Sequence, residues 1–154
     1  MAGDAGGGDL GGGVPGRPGR SGDHDGASDP AQDSLRRAAA RLDPLSSGDV
    51  AGALRIVGST LAEGEQVERL VAGRVKDIPC VVVRTERRVL VVADRSGRPV
   101  VESMHPQRTS VIARAGGDGT VHVTVSDGGR EMRLTGVRDA TEAESLAGSG
   151  VLPR

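Results

Sequence analysis

The sequence predicts a mainly β fold, a seven-stranded antiparallel sandwich or barrel with a C-terminal capping helix, preceded by a disordered tail and one or two short helices. Three features predict it. Residues 80–83 and 89–93 are apolar runs of strand length, rich in β-branched Val, on either side of Arg84, Thr85, Glu86 and Arg87, which is the pattern of a hairpin at the centre of a sheet covered on both faces. From Gly64 the apolar spacing is that of strands for about seventy residues, interrupted by Gly- and Asp-rich turns. Beyond Val137 the spacing becomes helical, with Asp139 and Glu142 placed as the two members of a capping box.

Taken in order, residues 1–29 are dominated by Gly, Asp, Pro and Arg, with Leu10 and Val14 as the only sizeable apolar side chains after Met1, so nothing offsets the entropy of ordering them and a disordered tail is expected. His24 between Asp23 and Asp25 is read as solvated, because a metal site needs fixed geometry. Asp29 and Pro30 offer a cap and a first-turn proline to a short amphipathic helix carrying Leu35, Ala38, Ala39 and Leu42. Its Arg36, Arg37 and Arg41 form a solvated face, and Asp43-Pro44 is expected to end it. A second helical pattern starts at Ser47 or Asp49 and carries Val50, Ala53, Leu54, Val57 and Leu61, although Gly52 and Gly58 should each cost it about 1 kcal/mol. This arm either docks on its own sheet or orders on a partner. Residues 30–61 are therefore read as short helices and linker, and 62–148 as the β domain.

Within that domain the strands are expected at 66–73, 80–83, 89–93, 100–104, 108–115 and 120–126, with a seventh around Glu131 to Thr135. Residues 74–78 serve as a short connection, His105-Pro106 closes the fourth strand and Gly116 to Gly119 form a hairpin loop. Val121, Val123 and Val125 alternate with His122 and Thr124 in a half-solvated strand. The final helix should run to about Ala147, and 149–154 should fray.

Composition narrows the function. Phe, Tyr and Trp are absent, so the core must be built from smaller aliphatic side chains. The net charge of −1 argues against a protein that neutralises a nucleic-acid backbone. No apolar stretch approaches the roughly 20 residues needed to span a bilayer, and the N-terminus has no signal-peptide pattern, so the cytoplasm is the expected location. The single Cys80 can form no internal disulfide and reads as a buried structural thiol. His105 and His122 sit at a strand end and on a polar strand face, while Ser103, Ser110 and Ser126 lack a nucleophile motif. The Gly116–Gly119 loop lacks the lysine and helix of a phosphate-binding loop. The chain is read as no enzyme, with no cofactor, metal or small-molecule substrate.

Gly64, Glu65 and Val67 leading into the first strand, Thr85, Arg87, Arg88, Val89 and Leu90 across the central turn, and Leu134, Gly136 and Val137 before the last helix resemble the bacterial pleckstrin-homology-like (PH-like) domains, which are related in shape to GRAM domains. The resemblance covers residues 61–147 or so. It implies two nearly orthogonal sheets capped at one corner by the final helix. The chain departs from that family in having no aromatic residue. In pleckstrin-homology folds anionic head groups are held near the connection that here contains Arg74 and Lys76, and Arg84, Arg87 and Arg88 lie close in sequence, so these five are the candidate anion- or partner-binding residues. Arginine suits bidentate capture of phosphate or carboxylate, and Arg88 equally suits an ion pair across the sheet. Acidic and basic residues balance over 62–148, which makes a membrane surface the weaker expectation. The resemblance therefore implies an adaptor that binds protein or a second copy of itself, through an open sheet edge or the groove beside its last helix.

Overall fold

Runs of Val that leave no polar face can be buried only if both sides of the sheet are covered, and the computed structural model, which describes residues 29–148, shows how. Three helices come first, α1 (Pro30–Ala39), α2 (Pro44–Asp49) and α3 (Ala51–Thr60). The strands β1 (Val67–Val75), β2 (Ile78–Thr85), β3 (Val89–Arg95), β4 (Arg98–Met104), β5 (Ser110–Ala115), β6 (Val121–Asp127) and β7 (Arg130–Val137) follow, and α4 (Ala140–Gly148) ends the described chain. All pairings are antiparallel, in the order β4-β3-β2-β1-β7-β6-β5. The expected tail, apart from Asp29, and the expected C-terminal fraying lie outside the described residues.

The seven strands fold into two layers because β1 and β7 meet at a single register pair, Arg74 with Thr135. A Cβ at Gly73 would stand 2.7 Å from the Thr135 carbonyl oxygen, so the crossing is close enough to require glycine there. On β7, Gly136 takes φ +71 and the register with β6 shifts, which turns both Leu134 and Val137 into the core.

Alternate residues of β2 and β3 then serve two cores. Cys80, Val82, Val89 and Val91 face inward onto Val123, Val125 and Leu134 of the second layer and onto Ala143 and Leu146 of α4. Val81, Val83, Leu90 and Val92 face outward and are covered by Leu35 and Ala38 of α1 and by Val50, Ala53 and Val57 around α3. The arm thus docks on its own sheet, the first of the two arrangements expected for it. At about 1.5–3 kcal/mol for each fully buried Val or Leu side chain, the outer cover is a large part of the stability of a domain this size.

Three local expectations are corrected. α1 already stops at Ala39, and Asp43-Pro44 begins α2, with the Asp43 carboxylate accepting the Ser46 N–H at 3.1 Å. The second helical pattern divides in two around Val50. Residues 74–78 form no separate connection, because β1 and β2 continue to a two-residue turn in which Lys76 and Asp77 both have positive φ, 51 and 68. The glycines of α3 also have a packing reason. A Cβ at Gly52 would collide with the Asp94 carboxylate, and one at Gly58 would stand 3.2 Å from Gln32 Oε1.

Candidate functional site

The five basic residues singled out in the sequence occupy opposite ends of β2. Arg74, near the end of β1, and Lys76, in the turn, lie beside its first residues, while Arg84, Arg87 and Arg88 lie at its last turn, and the intervening strand is roughly 23 Å long at about 3.3 Å per residue. They do not form one patch. The partners of each are visible. Arg88 Nε donates to Glu65 Oε2 at 2.9 Å, and its Nη2 donates to Glu65 Oε1 at 2.8 Å and to the Thr60 carbonyl at 3.0 Å. Arg84 donates to the Leu146 carbonyl in the last turn of α4 at 3.1 Å, where a cation is favoured by the helix dipole. Arg74 bridges Asp49 at 3.0 Å and donates to the Asp77 carbonyl. Arg87 lies 3.6 Å from Glu86. Among the described residues Lys76 has no ion pair.

Glu65, in the sequence one residue of the motif leading into the first strand, is the polar centre of that turn. It is fully buried. Besides Arg88, its carboxylate accepts the Ala62 N–H at 2.9 Å and the Thr85 hydroxyl at 2.7 Å. Thr85 in turn accepts the N–H groups of Arg87 and Arg88, both at 3.0 Å. Burial would raise the Glu65 pKa, but the Arg88 guanidinium, the Ala62 N–H and the Thr85 hydroxyl outweigh it and hold the carboxyl at about 2. The Thr-x-Arg-Arg step is therefore a latch between the hairpin and the end of α3. Its signal in the sequence is a threonine and an arginine beside an otherwise Val-rich buried strand, which call for a buried carboxylate.

At the other end of the sandwich the layers part. α4 closes the end where Val89 pairs with Met104. At the far ends of the same strands there is a groove of about 760 Å³ between the layers, walled by Val75, Ile78, Val91, Val100 and Met132 with Cys80 at its floor. Lys76, Arg95 and Arg133 share its rim with Glu102 and Glu131, so its charge is mixed and its walls are apolar. This groove lies away from α4 and is a different place from the groove beside that helix that the resemblance implies; Ala143 and Leu146 of α4 are buried in the core. Burial pushes the Cys80 thiol up to about 12, the state of an inert structural cysteine.

One wall of this groove is the edge strand β4. Ser96 and Gly97 form a two-residue turn with φ 53 and 84, which makes Arg95 and Arg98 a hydrogen-bonded pair. By alternation Val100, Glu102 and Met104 direct their backbone bonds to β3, while Pro99, Val101 and Ser103 direct theirs away from the sheet. No strand among the described residues pairs there. Val100 and Val101 are 40% and 39% exposed, unusual for Val among the described residues. Val100 faces the groove and Val101 the outer side of the sheet.

A second, smaller cleft of about 280 Å³ lies among Ser46, Asp49, Arg74, Asp118, Thr120 and Arg138. Its two arginines face two aspartates, one already bridged to Arg74. The histidines and serines are dispersed. His105 Nδ1 accepts the Gln107 N–H at 3.1 Å, and Ser110 and Ser126 are cross-strand partners, with His122 four residues further along β6, about 13 Å away. Nδ1 of His122 is buried without a hydrogen-bond partner. Among the described residues no three His, Cys, Asp or Glu side chains are grouped to hold a metal ion, and no helix is long and apolar enough to cross a membrane. The chain matches no family model, no curated protein and no solved structure.

Proposed function

We propose that this chain is a non-catalytic binding module of the bacterial PH-like kind that engages protein by accepting an added strand on β4. One observation carries the reading. β4 presents outward backbone groups at Val101 and Ser103 and exposed Val side chains beside an apolar groove. In strand addition the backbone bonds supply affinity and the pockets for alternate side chains supply specificity. The arginines support capture of anionic head groups less well, since Arg74, Arg84 and Arg88 already hold a carboxylate or a carbonyl and no single patch gathers all five. The cytoplasm is the proposed location, where a protein adaptor of balanced charge would work.

A photo-crosslinking side chain placed at Val101 in cells of the source organism tests this, with Arg36 on the solvated face of α1 as the control. Protein adducts from position 101 and none from position 36 are expected. The reading fails if position 101 gives no adduct, and it gives way to a lipid module if the protein instead sediments with anionic vesicles at moderate salt.

A further inference from the structure

We infer that the strand added to β4 comes from a second copy of this chain, paired antiparallel about a two-fold axis through Val100, so that Arg98 of each copy meets Glu102 of the other. This rests on the proposed strand addition at β4 and names its occupant.

The edge itself limits the choices. A two-fold axis perpendicular to the sheet pairs β4 with β4 antiparallel, and only residues whose backbone groups point outward can bond across it. These are Pro99, Val101 and Ser103, on alternate positions of the strand. The allowed registers therefore differ by steps of one residue in the position of the axis. With the axis at Glu102, that carboxylate opposes its own copy, which is repulsive. With the axis at Val101, Glu102 opposes the apolar Val100. With the axis at Val100, Val100 meets Val100 and two Arg98–Glu102 pairs form, one on each side, on the same face of the sheet.

This register also forms backbone hydrogen bonds. The Val101 N–H of each copy donates to the Pro99 carbonyl of the other. Proline has no N–H to give in return, so the Arg98–Glu102 pairs, and not the number of backbone bonds, select this register. The side chains that the register needs are also available. Arg98 has no ion pair among the described residues, and Glu102 engages Arg130 through Oε2, leaving Oε1. β5, the other edge, carries α4 against its core side and only half-buried Val111, Ile112 and Ala113. Because the axis is perpendicular to the sheet, the two grooves open on the same face and become neighbours, with Val100 of each copy between them.

Sedimentation velocity of the full chain over a concentration series tests the pairing. The native protein should pass from monomer to dimer. Arg98→Glu and Glu102→Arg should each weaken the dimer by about tenfold or more, since two attractive pairs become repulsive, and the double variant R98E/E102R should restore it. Val101→Pro should abolish it, while circular dichroism of all four variants, and their melting at a concentration where the native chain is monomeric, stay near those of the native chain because every change is on the edge strand. A monomer at every concentration overturns the inference, as does a dimer indifferent to Arg98→Glu or one that the double variant fails to restore. The adduct formed at Val101 separates this failure from failure of the strand-addition reading. An adduct of twice the chain mass supports the two-fold pairing, one of another mass leaves β4 as a binding edge for a different protein, and no adduct removes both.

Discussion

Glu65 shows how a single residue joins parts that sequence reading kept apart. It stands at the point read as the boundary between helical arm and β domain, yet its carboxylate ties Ala62, Thr85 and Arg88 together. Arg88 was legible as a residue needing an anion, either a ligand or a cross-sheet acid. The choice was not, because the distance that decides it is set by how α3 leads into β1. Glu65 is held at about 2 when folded against 4.5 ordinarily, so its contribution is fully present above about 4.5 and is lost as the pH falls toward 2. The gap between those values corresponds to about 3 kcal/mol. Urea unfolding of the native chain and of Glu65→Gln should therefore differ by a few kcal/mol at pH 7, and the difference should shrink steadily below about pH 4.5. A difference that does not change with pH would show that the ionised carboxylate is not what stabilises the latch.

The strands were the most legible elements, because a two-residue period reports directly which faces are buried. The helices were less so. Gly52 and Gly58 looked like costs to α3, and their reason lies in Asp94 and Gln32, residues distant in sequence that the helix approaches closely. α2 was missed because Asp43-Pro44 is an equally good stop and start. The same kind of long-range contact makes Gly73 a sharp test of the β1–β7 crossing. Gly73→Ala should destabilise the protein by about 1–3 kcal/mol, the usual cost of overpacking, visible as a lower urea midpoint. Gly117→Ala, at a position with open space around it, should change the midpoint by less. Equal effects at the two positions would mean that the layers do not meet as closely at Gly73 as described.

At the scale of the whole molecule, a core without a single aromatic ring is made sufficient by covering the Val-rich sheet on both sides. That covering was legible in the continuous apolar runs, but not which helices supplied it. A chain beginning at Leu61 would expose Val81, Val83, Leu90 and Val92, and at about 1.5–3 kcal/mol each the loss rivals the total stability of a small domain. Thermal melting should lose its cooperative transition, with binding of an apolar dye; an unchanged melting temperature would return α3 to the role of a partner-binding arm. The site was legible only in part. The groove between the layers was not legible, since strand pairing order and the closure by α4 are properties of the assembled sheet. The claim that β4 is the working edge makes a residue-by-residue prediction for amide hydrogen exchange, followed by NMR with and without the protein that crosslinks at position 101. Val100 and Glu102, bonded to β3, should be protected in both states, whereas Val101 and Ser103 should exchange freely alone and slow markedly on engagement. Protection at Val101 and Ser103 that is the same in both states would contradict strand addition at β4.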